Sequence, residues 1–164
     1  IKQKPQPPED YVLCLARIEG HKNQQTLAEA CKMIGKRLIC AGHVNHPQIA
    51  EMAQEHGAEI REHLEFGEAM ELLARAIVHA LPSFSETPGL ANMEAALLGV
   101  PAVMGTVGAE PEFFGDGGLY ANPWDARDIA NAIEKAWNRP RGQWARIPKW
   151  DQVALKAEKW MREQ

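Results

Sequence analysis

The chain has 164 residues, 45% of them hydrophobic and 24% charged, with a formal net charge of −4 at pH 7. That length supports one domain with a real core, and the acidic balance gives no electrostatic footprint for nucleic acid. No apolar run approaches the ~20 residues that span a bilayer, and no secretory leader pattern is visible. The chain opens on Ile1 rather than Met, so it is expected to be processed or cut from something longer. Its three cysteines, Cys14, Cys31 and Cys40, are odd in number and lack metal-type spacing. Cys14 and Cys40 read as buried strand thiols, which fits a reducing, cytoplasmic compartment.

Residues 1–10 hold Pro5, Pro7 and Pro8 and read as an extended linker. The apolar run 11–16 suits a strand buried on both faces. After the loop RIEGHKN, a helix is expected over 23–34, with Leu27, Ala30, Cys31 and Ile34 on one face and Gly35 closing it. Residues 37–42 form a second buried strand, and a helix over 47–56 stops at Gly57. The segment 58–66 holds a weak strand and a loop. A helix over 68–75 leads into a third strong strand, 76–83. Helix 90–98 ends at Gly99, and 100–105 is another strand. Gly115–Gly118 is a turn. Residues 125–138 form an amphipathic helix that Asp125 caps. A last helix over 149–163 carries Trp150 and Trp160 on an apolar stripe. Strands alternating with helices predict an α/β fold with a doubly wound, parallel, Rossmann-like sheet. Ligands then bind at the carboxyl ends of the strands. The loops there are 17–22, 42–46, 63–67 and 83–90.

The chemistry concentrates in the first and last of those loops. Between Arg75 and Arg127 there is no lysine or arginine, yet the run PSFSETPGLANMEAALLGVP carries Glu86 and Glu94. A buried carboxylate without a partner is costly, so partners must come from elsewhere in the fold, from water, or from a hydroxyl-rich ligand. Arg17 directly follows the first strand, and Lys22 sits at the start of the next helix. A cation is slightly unfavourable there, and a bound anion would reverse the sign. The pair reads either as a diphosphate site or as a solvated loop. The free N–H groups at Gly89 and Leu90 could face phosphate, or mark an ordinary strand-to-helix turn. Glu94 shares a helical face with Leu90, Leu97 and Leu98 that is expected to pack on the sheet. It is placed in the first turn, where it could accept two hydrogen bonds from a ribose diol or serve the helix dipole. Glu86 could reach sugar hydroxyls or pair with Arg17. The six histidines lack HxxxH or HExxH spacing, no cluster argues for a metal, and His79 reads as a satisfied core histidine. Ser83 and Ser85 have no GxSxG elbow around them.

The E-x7-E pair Glu86 and Glu94, set in LPSFSETPGLANMEAALLGVPAV, resembles the carboxy-terminal, donor-binding domain of retaining glycosyltransferases of the GT-B fold, the large family-4 type. LARIEGHKN is similar to that family's GR…KG segment. RLICAG is similar to its second strand, and VGAEPEFFGDGGLYANPWDARDIANAI to its glycine-rich loop, PE, DGG turn and final helix. The resemblance runs from Tyr11 to about Asn138. It implies that Arg17 and Lys22 bind the donor diphosphate and stabilise the leaving group, that Glu86 contacts the transferred sugar, and that Glu94 holds the ribose. Pro88, Gly89 and Leu90 would lie against the donor, and backbone near His63–Gly67 would meet the base. Three positions depart from the family pattern: Pro88 replaces an aromatic, Ala16 a glycine before the arginine, and Asn23 a glycine after the lysine.

The resemblance implies a UDP-, GDP- or ADP-sugar as donor substrate and neither metal nor other cofactor. The donor domain would cover 11–148, and the helix 149–164 would dock on a missing amino-terminal domain that binds the acceptor (a glycan, lipid or small molecule). Without that half the chain is expected to bind donor weakly and not to turn over. The assignment is compatible with peripheral membrane association of the full-length enzyme. Two alternatives share the architecture: part of a nucleotide-sugar epimerase, and a non-catalytic nucleotide-sugar-binding or scaffold domain.

Overall fold

The computed structural model describes residues 7–87 and 89–142, together with 155, 158, 159, 161 and 162. Six strands alternate with helices. In chain order they are β1 (Glu9–Leu15), α1 (Gln24–Met33), β2 (Leu38–Ala41), α2 (Pro47–Glu55), β3 (Glu59–Arg61), α3 (Phe66–Arg75), β4 (Ala76–Leu81), α4 (Leu90–Leu97), β5 (Ala102–Gly105), α5 (Glu110–Phe114), β6 (Leu119–Ala121) and α6 (Ala126–Trp137). All strand pairings are parallel, in the order β3-β2-β1-β4-β5-β6. This is the doubly wound, Rossmann-like arrangement expected from the alternation of strands and helices.

Alternation within the strands sorts the core into two layers. Val12, Cys14, Cys40, Val78, Ala80 and Val103 face α1, α2 and α6. Tyr11, Leu13, Ile39, Ala41 and Ala102 face α3 and α4. Both faces of the central strands are therefore dry, which is why β1, β2 and β4 read as unbroken apolar runs. Asp125 caps α6 as expected, accepting from the N–H groups of Arg127 and Asp128, a contribution of about 1 kcal/mol.

Several boundaries differ from expectation. β1 begins at Glu9, within the segment read as linker. α3 begins at Phe66 because Glu65 and Glu68 form a reciprocal capping box. Glutamate stands outside the usual set of capping residues, so that signal is easily overlooked. The short elements α5 and β6 were not expected at all. The arm before Pro7 and the helix with Trp150 and Trp160 lie outside the described residues.

Cys14 and Cys40 are buried register partners on neighbouring strands, and Cys31 is buried against them. His79 is fully buried in β4, where its Nε2 accepts from the Leu15 N–H. Its ring also interacts with the Asn92 side chain, in line with the core histidine expected from the sequence. Burial holds its imidazole down at about 4, against the usual 6.5. The unfolded chain therefore binds this proton between those values and the folded chain does not, so stability rises with pH across the window. Acidification from pH 6.5 to 4 is expected to remove about 3 kcal/mol through this residue. Urea midpoints at several pH values check this, and His79→Phe should flatten that part of the slope.

Candidate functional site

The strand order reverses between β1 and β4, and the loops leaving their carboxyl ends form the crevice where ligands bind in open α/β sheets. The first loop is tied to the strand beside it. Ile18 N–H donates to the His43 carbonyl, and the Ile18 carbonyl accepts from Asn45 and His46. A turn of 3-10 helix over Gly20–Lys22 follows, and Asn23 then takes a left-handed conformation, φ 63°. Asparagine tolerates that region better than most residues. Its Nδ2 also donates to the carbonyls of Pro82 and Pro123, at 3.1 and 2.7 Å. A side chain that a glycine would lack thus binds the two site loops together. The Phe84 N–H, donating to the His21 carbonyl, ties the same loops a second time.

A cleft of about 560 Å3 opens between them, lined by Arg17, His21, Lys22, Glu86, Gly89 and Leu90 among others. Five of the residues singled out in the sequence thus come together here. Lys22 Nζ lies 2.5 Å from Glu86 Oε1, which also accepts from Ser83 Oγ at 2.9 Å. The lysine and glutamate side chains are only 13% and 10% exposed, so this pair is shielded enough to matter. Arg17, by contrast, is 61% exposed and pairs with Glu19 at 3.1 Å; such a contact contributes little. The suggested Glu86–Arg17 pairing is therefore replaced by Glu86–Lys22. Glu19, which no pattern singled out, also accepts from Asn45 Nδ2 at 2.9 Å. Burial works to raise its carboxyl, but the Asn45 hydrogen bond and the Arg17 guanidinium outweigh it and hold the group below its ordinary value.

Glu94 is placed differently from the expectation. α4 starts at Leu90 behind Gly89 as its left-handed N-cap, so Glu94 is the fifth helical residue and lies past the first turn. Leu90 and Leu97 are 66% and 59% exposed, and Asn92, Ala95 and Ala96 face inward instead. The face bearing Leu90, Glu94 and Leu97 therefore looks outward, and small residues let the helix approach the sheet. Glu94 lines a second cleft of about 460 Å3 with Gly42, His43, His63, Leu64 and Phe66. Leu15 borders both clefts, so they adjoin at the end of β1. Burial raises the Glu94 carboxyl above its ordinary value. Pro88 lies outside the described residues.

The loop after β5 was not among the four expected to matter. It carries Glu110, buried close behind the glutamate loop. Its trace in the sequence is its place in the run VGAEPEFF, an acid two residues after Gly108 at the carboxyl end of a strand. Among the described residues no group of three or more histidines, cysteines or acids is arranged to hold a metal ion.

Comparison with known proteins adds an independent line. The sequence model of the glycosyl transferases group 1 family matches residues 9–139. The alpha-maltose-1-phosphate synthase of Mycobacterium tuberculosis is 28% identical over 117 residues, 65% of this chain and 30% of that protein. The serotype-specific mannosyltransferase WbdA of Escherichia coli is 26% identical over 150 residues, 83% of this chain and 18% of that protein. Among solved structures, a sucrose-phosphate synthase from Thermosynechococcus elongatus matches at a TM-score of 0.72 and 23% identity, covering 96% of this chain and 46% of that one. A UDP-forming alpha,alpha-trehalose-phosphate synthase from Burkholderia xenovorans matches at 0.73 and 13% identity, covering 94% and 43%. The chain spans less than a third of the length of the curated relatives it matches.

Proposed function

The chain belongs to the glycosyl transferases group 1 family, and on that premise we propose that it binds the nucleoside-diphosphate-sugar donor of a retaining sugar transfer. The observation that carries this reading is the convergence of Arg17, Lys22, Glu86 and the opening of α4 on one cleft. A diphosphate in that cleft meets two basic side chains and the unpaired N–H groups of the first helical turn. Glu86 is then placed for the hydroxyls of the transferred sugar, and Glu94, in the adjoining cleft, for the ribose. The base falls toward His63, Leu64 and Phe66.

In the transfer, the bond between the anomeric carbon and the diphosphate oxygen breaks, and the sugar gains oxocarbenium character. Negative charge builds on the departing nucleoside diphosphate. Arg17 and Lys22 are already in position to stabilise it, with no metal in that role. Preorganised charge of this kind lowers a barrier without reorganisation at the moment of reaction. The acceptor and its binding site belong to the part of the protein beyond this chain, in keeping with the short span matched on the relatives.

The test is a thermal-stability titration against UDP, GDP and ADP. A ligand present at ~100 times its dissociation constant stabilises the native state by about 2.7 kcal/mol. At least one of the three is expected to raise the melting temperature accordingly. No shift with any of them would exclude the donor reading in favour of a scaffold role.

A further inference from the structure

Glu110 is 1% exposed and is not part of the cleft wall. Its position is defined by two glycines. A Cβ at Gly108 would stand 2.3 Å from Glu110 Oε2, 2.8 Å from the Glu86 carbonyl oxygen and 3.1 Å from the Glu86 nitrogen. A Cβ at Gly89 would stand 3.3 Å from Glu110 Oε1 and 2.7 Å from Asn92 Nδ2. The carboxyl therefore sits beside Gly108, which packs on the Glu86 backbone, and near Gly89. The Ala109 N–H fastens the same two segments by donating to the Glu86 carbonyl at 3.1 Å.

Behind Glu86 and Gly89 lies the buried Glu110 Oε2, which has no partner among the described residues, and beside it the Asn92 amide, whose side chain interacts with His79. A buried polar atom left unpaired is costly, so the Glu110 carboxyl is unlike an ordinary packing contact. Burial raises the Glu110 carboxyl above its ordinary value, against a hydrogen bond from its own backbone N–H; the Glu86 charge adds to the rise and Lys22 opposes it.

We propose that Glu110 is a positioning residue for the donor site, its carboxyl acting from behind Glu86 and Gly89 to set the height of these two residues against a bound sugar nucleotide. The inference rests on the donor reading above. It goes further by giving the β5 loop a part in the selection of the sugar. Glu110 touches no substrate; it acts through the backbone of Glu86 and Gly89.

The experiment compares Glu110→Ala and Glu110→Gln with the wild type, measuring dissociation constants for UDP, ADP and GDP and for UDP-glucose, ADP-glucose and GDP-mannose. Melting temperatures are recorded alongside. In Glu110→Ala the sugar conjugate is expected to weaken about tenfold relative to its parent diphosphate, the equivalent of about 1.4 kcal/mol. Glu110→Gln, which keeps the shape and a hydrogen-bonding end, should hold that ratio within about threefold of wild type, under 1 kcal/mol. The proposal is overturned if alanine leaves the ratio unchanged, if both ligand classes weaken equally as the protein loses stability, or if glutamine fails to preserve the ratio. Absence of binding by the wild-type protein would instead identify failure of the donor reading itself, and the proposal would fall with it.

Discussion

Lys22→Ala is expected to weaken nucleoside-diphosphate binding by about 100-fold, or roughly 2.7 kcal/mol, and to destabilise the unliganded protein as well. The second effect follows from the geometry of the pair. Glu86 is nearly buried and has two donors, Lys22 Nζ and Ser83 Oγ. Without the lysine, an ionised carboxylate stays in place with one neutral hydroxyl to satisfy it. Breaking a fully buried pair costs about 3–5 kcal/mol. This pair lines an open cleft, so water relieves part of the penalty and about 2 kcal/mol is the expected loss. The two effects separate in the double variant Lys22→Ala with Glu86→Gln. Neutralising the acid removes the stranded charge, so most of the stability should return while the affinity should not. Urea midpoints and ligand titrations on the two variants and the wild type supply the comparison. If Lys22→Ala binds UDP, GDP or ADP as tightly as wild type, the cation has no role in holding the diphosphate. If the double variant recovers binding along with stability, the lysine acts only by neutralising Glu86.

The same pair shows how far the sequence could be read. Lys22 and Glu86 stand 64 residues apart. Each was marked as a candidate by its place after an apolar strand, and a parallel sheet was legible from the alternation of β1, β2 and β4 with helices. Their being each other's partner depends on β4 lying beside β1, and no local pattern encodes that adjacency. Glu19 escaped notice for the same reason, because its partner Asn45 comes from the loop after β2. Glu94 was recognised through its spacing from Glu86, yet its helical face was misjudged. Of the leucines expected to form a sheet-packing stripe only Leu98 packs on the core; Leu90 and Leu97 are exposed, and Ala95 and Ala96 are buried in their place. β6, three residues long, is too short for a period of two to stand out.

Gly42→Ala is expected to be among the most damaging single substitutions in this chain, with a loss of about 4 kcal/mol or more. Gly42 follows β2 with φ +147°, a region that side-chain-bearing residues rarely enter. A Cβ there would fall 2.1 Å from the Ala16 carbonyl oxygen and 2.7 Å from its carbon. Neither neighbour can easily yield. The Ala16 N–H donates to the Ala41 carbonyl, and the Gly42 N–H donates to the Arg61 carbonyl, so both backbones are held in the parallel ladder. Gly35→Ala provides the control. Its φ is +62°, but a Cβ there meets nothing within 4 Å, so only the backbone preference is lost, at about 1 kcal/mol. The difference between the two variants in denaturant midpoint, at an unchanged slope, reports the close approach together with the harsher dihedral, because φ +147° lies outside the left-handed well that Gly35 occupies. Equal losses would show that the β1 and β2 loops can separate at little cost. Arg17 is the residue next to the obstructed carbonyl, so displacement that rescues the fold must also move this cation. A Gly42→Ala protein that folds at reduced temperature should therefore bind diphosphate more weakly than wild type even where it is fully native. The strand-end packing that closes the sheet and the placement of charge in the cleft depend on the same backbone contact.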